Sequence, residues 1–86
     1  MQETVVTIAP TSSLPEIIRA IRGELSQEEF AQAIGVTHSA VSQWENGKIG
    51  LSLASTIALL EHAKATEKRN LAVLLLQAVG GLEAWL

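Results

Sequence analysis

The chain has 86 residues, of which 48% are hydrophobic and 17% charged, a composition that fits one folded domain and excludes disorder. It has no cysteine, which excludes disulfides and thiolate metal sites. Its net charge of −3 is unusual for a nucleic-acid-binding protein, although the local field at the contact face matters more than the sum.

No targeting or membrane segment is visible. Residues 1–10 lack the basic start and apolar core of a signal peptide. The longest apolar run, residues 71–76, is far shorter than the roughly 20 residues that cross a bilayer. We therefore expect a cytoplasmic protein. Because a single core is marginal at this size, we also expect a partner or a second copy.

The chain begins with residues 1–13, which we interpret as an N-terminal arm or a short strand because positions 4–8 are β-branched. Ser13 and Glu16 then have the spacing of a capping box, which predicts the start of a helix. This helix is expected to run to residue 22 or 23 and to bury the apolar face formed by Leu14, Ile17, Ile18, Ile21 and Leu25.

The next two helices are predicted to be short and joined by a tight turn. Ser26 and Glu29 repeat the capping-box spacing, and Gly35 ends the second helix because glycine readily takes a left-handed conformation. Thr37 is placed to cap a third helix, which stops at Asn46-Gly47. The residues predicted to face inward are Phe30, Ala33, Ile34, Val36, Val41 and Trp44.

Two further helices complete the prediction. Ser52 begins the fourth, whose predicted inward positions are Leu53, Ile57, Leu60 and Ala63. The fifth, roughly residues 68–79, is apolar around nearly its whole circumference, which is typical of a helix buried on all sides. Either a second copy covers it, or it simply completes the core of the monomer. Gly80-Gly81 interrupts it before an apolar tail over residues 82–86.

The second and third helices together form a helix-turn-helix pattern over residues 26–48. The small side chain of Ala31 permits close approach of the two helices. The outward face of the third helix is then formed by His38, Ser39, Ser42 and Gln43. These are polar groups that can hydrogen-bond to base edges in a major groove.

This segment, SQEEFAQAIGVTHSAVSQWENGK, resembles the helix-turn-helix of lambda-type repressors and Cro, the Xre family of bacterial and phage regulators. The resemblance covers about residues 14–62. It implies an all-α domain of four to five helices whose third helix, residues 38–45, enters the major groove of double-stranded DNA.

Site roles follow from the resemblance. It implies that His38, Ser39, Ser42 and Gln43 read bases, and that Gln27, Thr37, Asn46 and Lys48 contact phosphates. It also implies an ion pair between Arg22 and Glu45 that joins the first helix to the third. The chain departs from the family pattern in having no arginine or lysine in the third helix and no basic residue or proline directly after Lys48.

The leading hypothesis is a sequence-specific transcriptional repressor that binds a palindromic operator as a homodimer, without cofactor or metal. Residues 14–66 would bind DNA and residues 67–86 would dimerise. One alternative is an antitoxin that binds its own promoter and holds a toxin through residues 1–13 or 82–86. Another is a protein-interaction domain that has lost DNA binding. An enzyme is not expected, because no nucleophile–base set or phosphate loop is present.

Overall fold

The computed structural model describes residues 13–48 and 50–79. These residues form five α-helices and no strand, which confirms the predicted all-α class. The helices are α1 (Leu14–Arg22), α2 (Gln27–Ile34), α3 (His38–Glu45), α4 (Leu53–Ala65) and α5 (Arg69–Ala78).

The start and buried face of α1 agree with the sequence prediction. The Ser13 hydroxyl accepts a hydrogen bond from the Glu16 amide at 3.4 Å, and the Glu16 carboxylate accepts one from the Ser13 amide at 3.2 Å. These bonds satisfy amide groups that have no partner inside the helix. The bonds that the Ser13 amide and hydroxyl donate to the Glu16 carboxylate lower its pKa, the backbone bond being the main cause.

The hydrophobic core lies between all five helices. It contains twelve residues of the described part of the chain, each less than a tenth exposed. They are Ile17, Ile18, Ile21, Phe30, Ala31, Val41, Trp44, Leu59, Ala63, Leu71, Ala72 and Leu75. Leu14, Leu25 and Val36 are half-buried and pack against this cluster. Burial of apolar surface on this scale is the main force that holds the helices together.

The sequence prediction was wrong for two of the four inward positions of α4. Leu53 and Ile57 were expected to point inward, but each is 42% exposed. Thr56 and Leu59 are completely buried instead, and the Thr56 hydroxyl donates to the Ser52 carbonyl at 2.9 Å. Of the predicted inward positions, Ala63 is buried and Leu60 half-buried. The buried face is therefore rotated relative to the predicted one.

The helix α5 packs against α1 and α4 and completes the core of the monomer. Leu71, Ala72 and Leu75 are buried, but Val73 on the opposite side is 54% exposed. A single chain therefore leaves the outer side of α5 uncovered. Whether a second copy covers the outer side stays a prediction.

The turn between α4 and α5 is attached to the end of α1. The Lys68 ammonium donates to the carbonyls of Ala20 at 3.4 Å and Ile21 at 3.2 Å. A cation is favourable here because carbonyl dipoles accumulate at the C-terminus of a helix. Gly23 leaves room for it, since a Cβ at that position would lie 2.7 Å from the Lys68 nitrogen.

Three sequence predictions lie outside the described residues. They are the arm or strand over residues 1–13, described only at Ser13, the interruption at Gly80-Gly81, and the apolar tail over residues 82–86.

Candidate nucleic-acid interface

The ends of α2 and α3 are fixed by short-range hydrogen bonds and one glycine. Ser26 and Glu29 form a reciprocal capping box, with bonds of 2.9 and 3.0 Å. Gly35 has φ +76°, a left-handed conformation that side chains other than glycine rarely take. The Thr37 hydroxyl accepts from the Ala40 amide at 3.0 Å and caps α3. All of these features were predicted from sequence.

Buried side chains fix the relative position of α2 and α3. Phe30 and Ala31 of α2 are buried, as are Val41 and Trp44 of α3. Ala33 was expected to face inward but is exposed, and Ile34 is half-buried. The helix-turn-helix therefore rests on the core through Phe30 and Ala31, and Ala33 contributes nothing to that packing.

The outer face of α3 carries the four residues predicted to read bases. His38, Ser39 and Gln43 are exposed and Ser42 is half-buried. Because positions i, i+1, i+4 and i+5 of a helix lie on one side, these side chains form one continuous polar strip. We call these four residues the reading face. Their hydroxyl, amide and imidazole groups include both hydrogen-bond donors and acceptors.

Three of the residues predicted to contact phosphates lie at the two ends of the reading face. Thr37 is exposed at the start of α3, and Asn46 and Lys48 are exposed beyond its end. The Asn46 amide donates to the Ser42 hydroxyl at 3.4 Å, a long bond. The Lys48 ammonium makes no hydrogen bond or ion pair with a described residue, so its charge is available to an anion.

The predicted ion pair between Arg22 and Glu45 is present. The guanidinium donates to both carboxylate oxygens, at 2.8 and 3.0 Å, and Glu45 is only 2% exposed. The sequence prediction missed the contribution of Arg19, which donates to the Glu45 carbonyl and lies 3.6 Å from its carboxylate. The spacing of Arg19 and Arg22 on one face of α1 was the available signal.

The side chain of Gln27, which was predicted to contact a phosphate, makes two hydrogen bonds within the protein. It is half-buried, and its amide nitrogen donates to Glu45 at 3.2 Å while its oxygen lies 3.0 Å from the imidazole of His38. No sequence pattern indicated these two bonds, whose partners are 18 and 11 residues away. An amide nitrogen has two hydrogens, and the bond to Glu45 uses one of them; the phosphate contact of Gln27 stays a prediction.

The helix-turn-helix and its surroundings carry side chains of both charges. Glu28 and Glu29 stand in the first turn of α2, where the helix dipole favours negative charge. Bonds from Ser26, first its backbone amide and then its hydroxyl, lower the pKa of Glu29. Opposing these charges are Lys48 and Arg19, whose side chain is 50% exposed.

Residues 13–48 and 50–79 contain no cluster of three or more histidine, aspartate or glutamate residues that could hold a metal ion. None of their helices is sufficiently long and apolar to cross a membrane.

Two short helices joined by a glycine turn, the second with an exposed polar face, define a helix-turn-helix domain of the DNA-binding class. The helix-turn-helix family matches residues 18–63, more than half of the chain. The chain belongs to this family, of the Xre and lambda-repressor type, and is a DNA-binding transcription regulator. The family is not one of enzymes. Comparisons with curated proteins and with solved structures found no match.

Proposed function

We propose that this regulator is a repressor that binds a palindromic operator as a homodimer, with α3 in the major groove. The observation that carries the proposal is the reading face, a continuous strip of polar side chains on a helix whose opposite side is buried. A helix supported in this way can enter a groove about 12 Å wide without disturbing the core.

The reading face and its flanking residues have different roles in the proposal. His38, Ser39, Ser42 and Gln43 contact base edges and set sequence preference. Gln27, Thr37, Asn46 and Lys48 contact phosphates, which position the domain without reading sequence. Since α3 has no arginine or lysine, the bidentate arginine–guanine contact is absent from this helix. DNA shape and dimerisation then contribute a large share of the specificity.

The exposed apolar residues support a dimer through the C-terminal helices. Three large hydrophobic side chains of the described residues are exposed, namely Leu53, Ile57 and Val73. All three belong to α4 or α5. We propose that a second copy covers this surface, with residues 67–86 as its main element. A two-fold axis there places the two reading faces about one DNA turn apart, roughly 34 Å.

The function is tested by fluorescence anisotropy with the DNA upstream of the protein's own gene, at two salt concentrations and with random DNA as competitor. We expect binding that survives the competitor and weakens as salt rises. No binding to either DNA at low salt would overturn the proposal and favour a protein-interaction domain.

Two substitutions separate the proposed roles. Gln43→Ala should change the order of preferred operator variants, because it removes a base contact. Lys48→Ala should weaken all sequences alike and reduce the salt slope by about one unit. Lys64→Ala is the matched control, since Lys64 is an exposed lysine on α4. Equal losses on specific and random DNA for both site variants would contradict the assignment.

The dimer is tested by sedimentation of the full chain. We expect a concentration-dependent dimer in the wild type and a monomer in Val73→Lys, while Gln32→Lys, an exposed position on α2, remains dimeric. A wild type that stays monomeric at micromolar concentration would contradict this part of the proposal.

A further inference from the structure

The orientation of the Gln27 side-chain amide is determined by its neighbour Glu45. The two ends of an amide have nearly the same shape, so hydrogen bonding must decide which atom is nitrogen. The atom 3.2 Å from Glu45 Oε1 faces a carboxylate, which accepts hydrogen bonds and does not donate them. That atom is therefore Nε2, and Oε1 is the atom that faces His38.

Glu45 is itself held firmly. It is 2% exposed, and Arg22 donates to both of its oxygens in the bidentate arrangement described above. Charge-assisted bonds of this kind are stronger than neutral ones. The Arg22 guanidinium also donates to the Leu25 carbonyl at 2.9 Å, which fixes it to the loop before α2. The carboxylate therefore has little freedom to rotate away from Gln27.

The amide oxygen of Gln27 in turn determines the protonation pattern of the His38 ring. This oxygen can only accept, and it lies 3.0 Å from His38 Nε2. Nε2 must therefore carry a hydrogen for the bond to form. In a neutral imidazole the other nitrogen, Nδ1, is then bare and can only accept. Nδ1 makes no hydrogen bond with any described residue.

We propose that the chain of bonds from Arg22 through Glu45 and Gln27 fixes His38 as the Nε2–H tautomer, so that its free nitrogen reads DNA as an acceptor. This inference rests on the proposed function in one respect, the contact of His38 with a base. Glu45 and Gln27 act as positioning residues, and His38 determines specificity. Without Glu45 and Gln27, the His38 ring would interconvert between its two neutral tautomers. It could then either donate to a base or accept from one.

An acceptor nitrogen distinguishes among the four bases in the major groove. Adenine and cytosine each present an amino group there, which donates a hydrogen bond, whereas guanine presents two acceptors and thymine one acceptor and a methyl group. The neutral His38 ring thus favours adenine or cytosine at its position. We expect a preference of about tenfold over guanine or thymine, the lower part of the range for good base contacts.

The tautomer is tested without DNA, by long-range ¹⁵N–¹H NMR of the full chain at pH 8, where histidine side chains are ordinarily neutral. The protein has two histidines, so the spectrum of His62→Gln assigns both. We expect a proton on Nε2 and a bare Nδ1 at His38. Gln27→Met keeps the side-chain length but removes the acceptor, and should give a mixture of tautomers. Gln32→Met, an exposed position on the same helix, should leave the spectrum unchanged.

The tautomer assignment is overturned if wild-type His38 carries its proton on Nδ1, or if Gln27→Met leaves its spectrum unchanged. Circular dichroism of Gln27→Met must match the wild type. If Gln27→Met does not fold, Gln27→Ala replaces it, because it also removes the acceptor and leaves the ion pair between Arg22 and Glu45 in place.

Base reading is tested in two steps. Comparing the sequence preferences of the wild type and His38→Ala identifies the base pair that His38 contacts. DNA binding is then measured with four operators that differ only at this base pair. Each base pair presents one amino group in the major groove, on adenine or on cytosine, so the four operators form two pairs according to the strand that carries it. The wild type should bind one of these pairs about tenfold more tightly than the other, and Gln27→Met should reduce this ratio to about twofold. A preference that follows the identity of the base pair, and not the strand that carries the amino group, overturns the reading role. If the wild type binds no DNA, the proposed function and the reading role are overturned together. The NMR result tests the tautomer independently of DNA binding.

Discussion

The helix-turn-helix pair and the C-terminal helix pair are held in place by different kinds of interaction. In α2 and α3, side-chain caps and a left-handed glycine fix the ends, and a polar network around Glu45 ties both helices to α1. In α4 and α5, the described contacts are mainly apolar, and large hydrophobic side chains remain exposed. Hydrogen bonds are directional and require one arrangement of donor and acceptor, whereas the hydrophobic effect is non-directional. The first pair is thus suited to present a defined surface, and the second to join that surface to a partner.

The largest expected effect is on the polar network of the first pair. Arg22→Met removes the bidentate partner of a buried carboxylate, which typically costs about 3–5 kcal/mol. Urea denaturation measures the loss. Lys64→Met is the matched control, because it removes an exposed cation at a position without an ion pair. A similar midpoint for both variants would mean that the network contributes specificity of geometry but no stability.

The second prediction concerns the face of α4. Leu59→Ala should destabilise the fold by about 2–5 kcal/mol, since it leaves a cavity at a fully buried position. Ile57→Ala should change stability by no more than about 0.5 kcal/mol in the monomer. If a second copy covers Ile57, its effect will grow with protein concentration. Equal effects at low concentration would show that the two faces of α4 are not distinguished as the structure has them.

The smallest expected effect connects the two regions. His62 of α4 packs edge-on against Phe30 of α2, with ring centroids 5.2 Å apart. Burial, and to a lesser degree the charge of Lys68, lowers the pKa of His62 below its ordinary value of about 6.5. The unfolded chain therefore takes up this proton first as the pH falls. The stabilising contribution is complete above about pH 6.5 and is lost as the pH falls towards the folded-state pKa.

We expect the urea midpoint of the wild type to decrease between pH 8 and pH 5.5. In His62→Gln, which has no group to titrate there, the decrease should be smaller. An identical pH dependence in both proteins would show that protonation of His62 does not influence the packing of α4 on α2.

Much of the candidate nucleic-acid interface could be predicted from short-range sequence patterns. The capping boxes, the glycine stop and the Thr37 cap each depend on residues three or four positions apart, so the pattern alone places the reading face. The partners of Gln27 could not be predicted in this way. They are far away in the sequence, and only the packing of α1, α2 and α3 brings them within 3.2 Å.

The sequence by itself determined the starts of α1 to α4 and the ends of α1 to α3, because helix caps and left-handed turns are local interactions. It also determined the inner face of α3, where Val41 and Trp44 are the large apolar residues. Only the tertiary structure decided the orientation of α4, since alanine, leucine and isoleucine occur on several sides of that helix and two faces compete for burial. The positions of α1, α2 and α5, which all contact α4, resolved that competition. The same packing set the hydrogen bonds of Gln27 to Glu45 and His38, on which the proposed tautomer of the His38 ring depends.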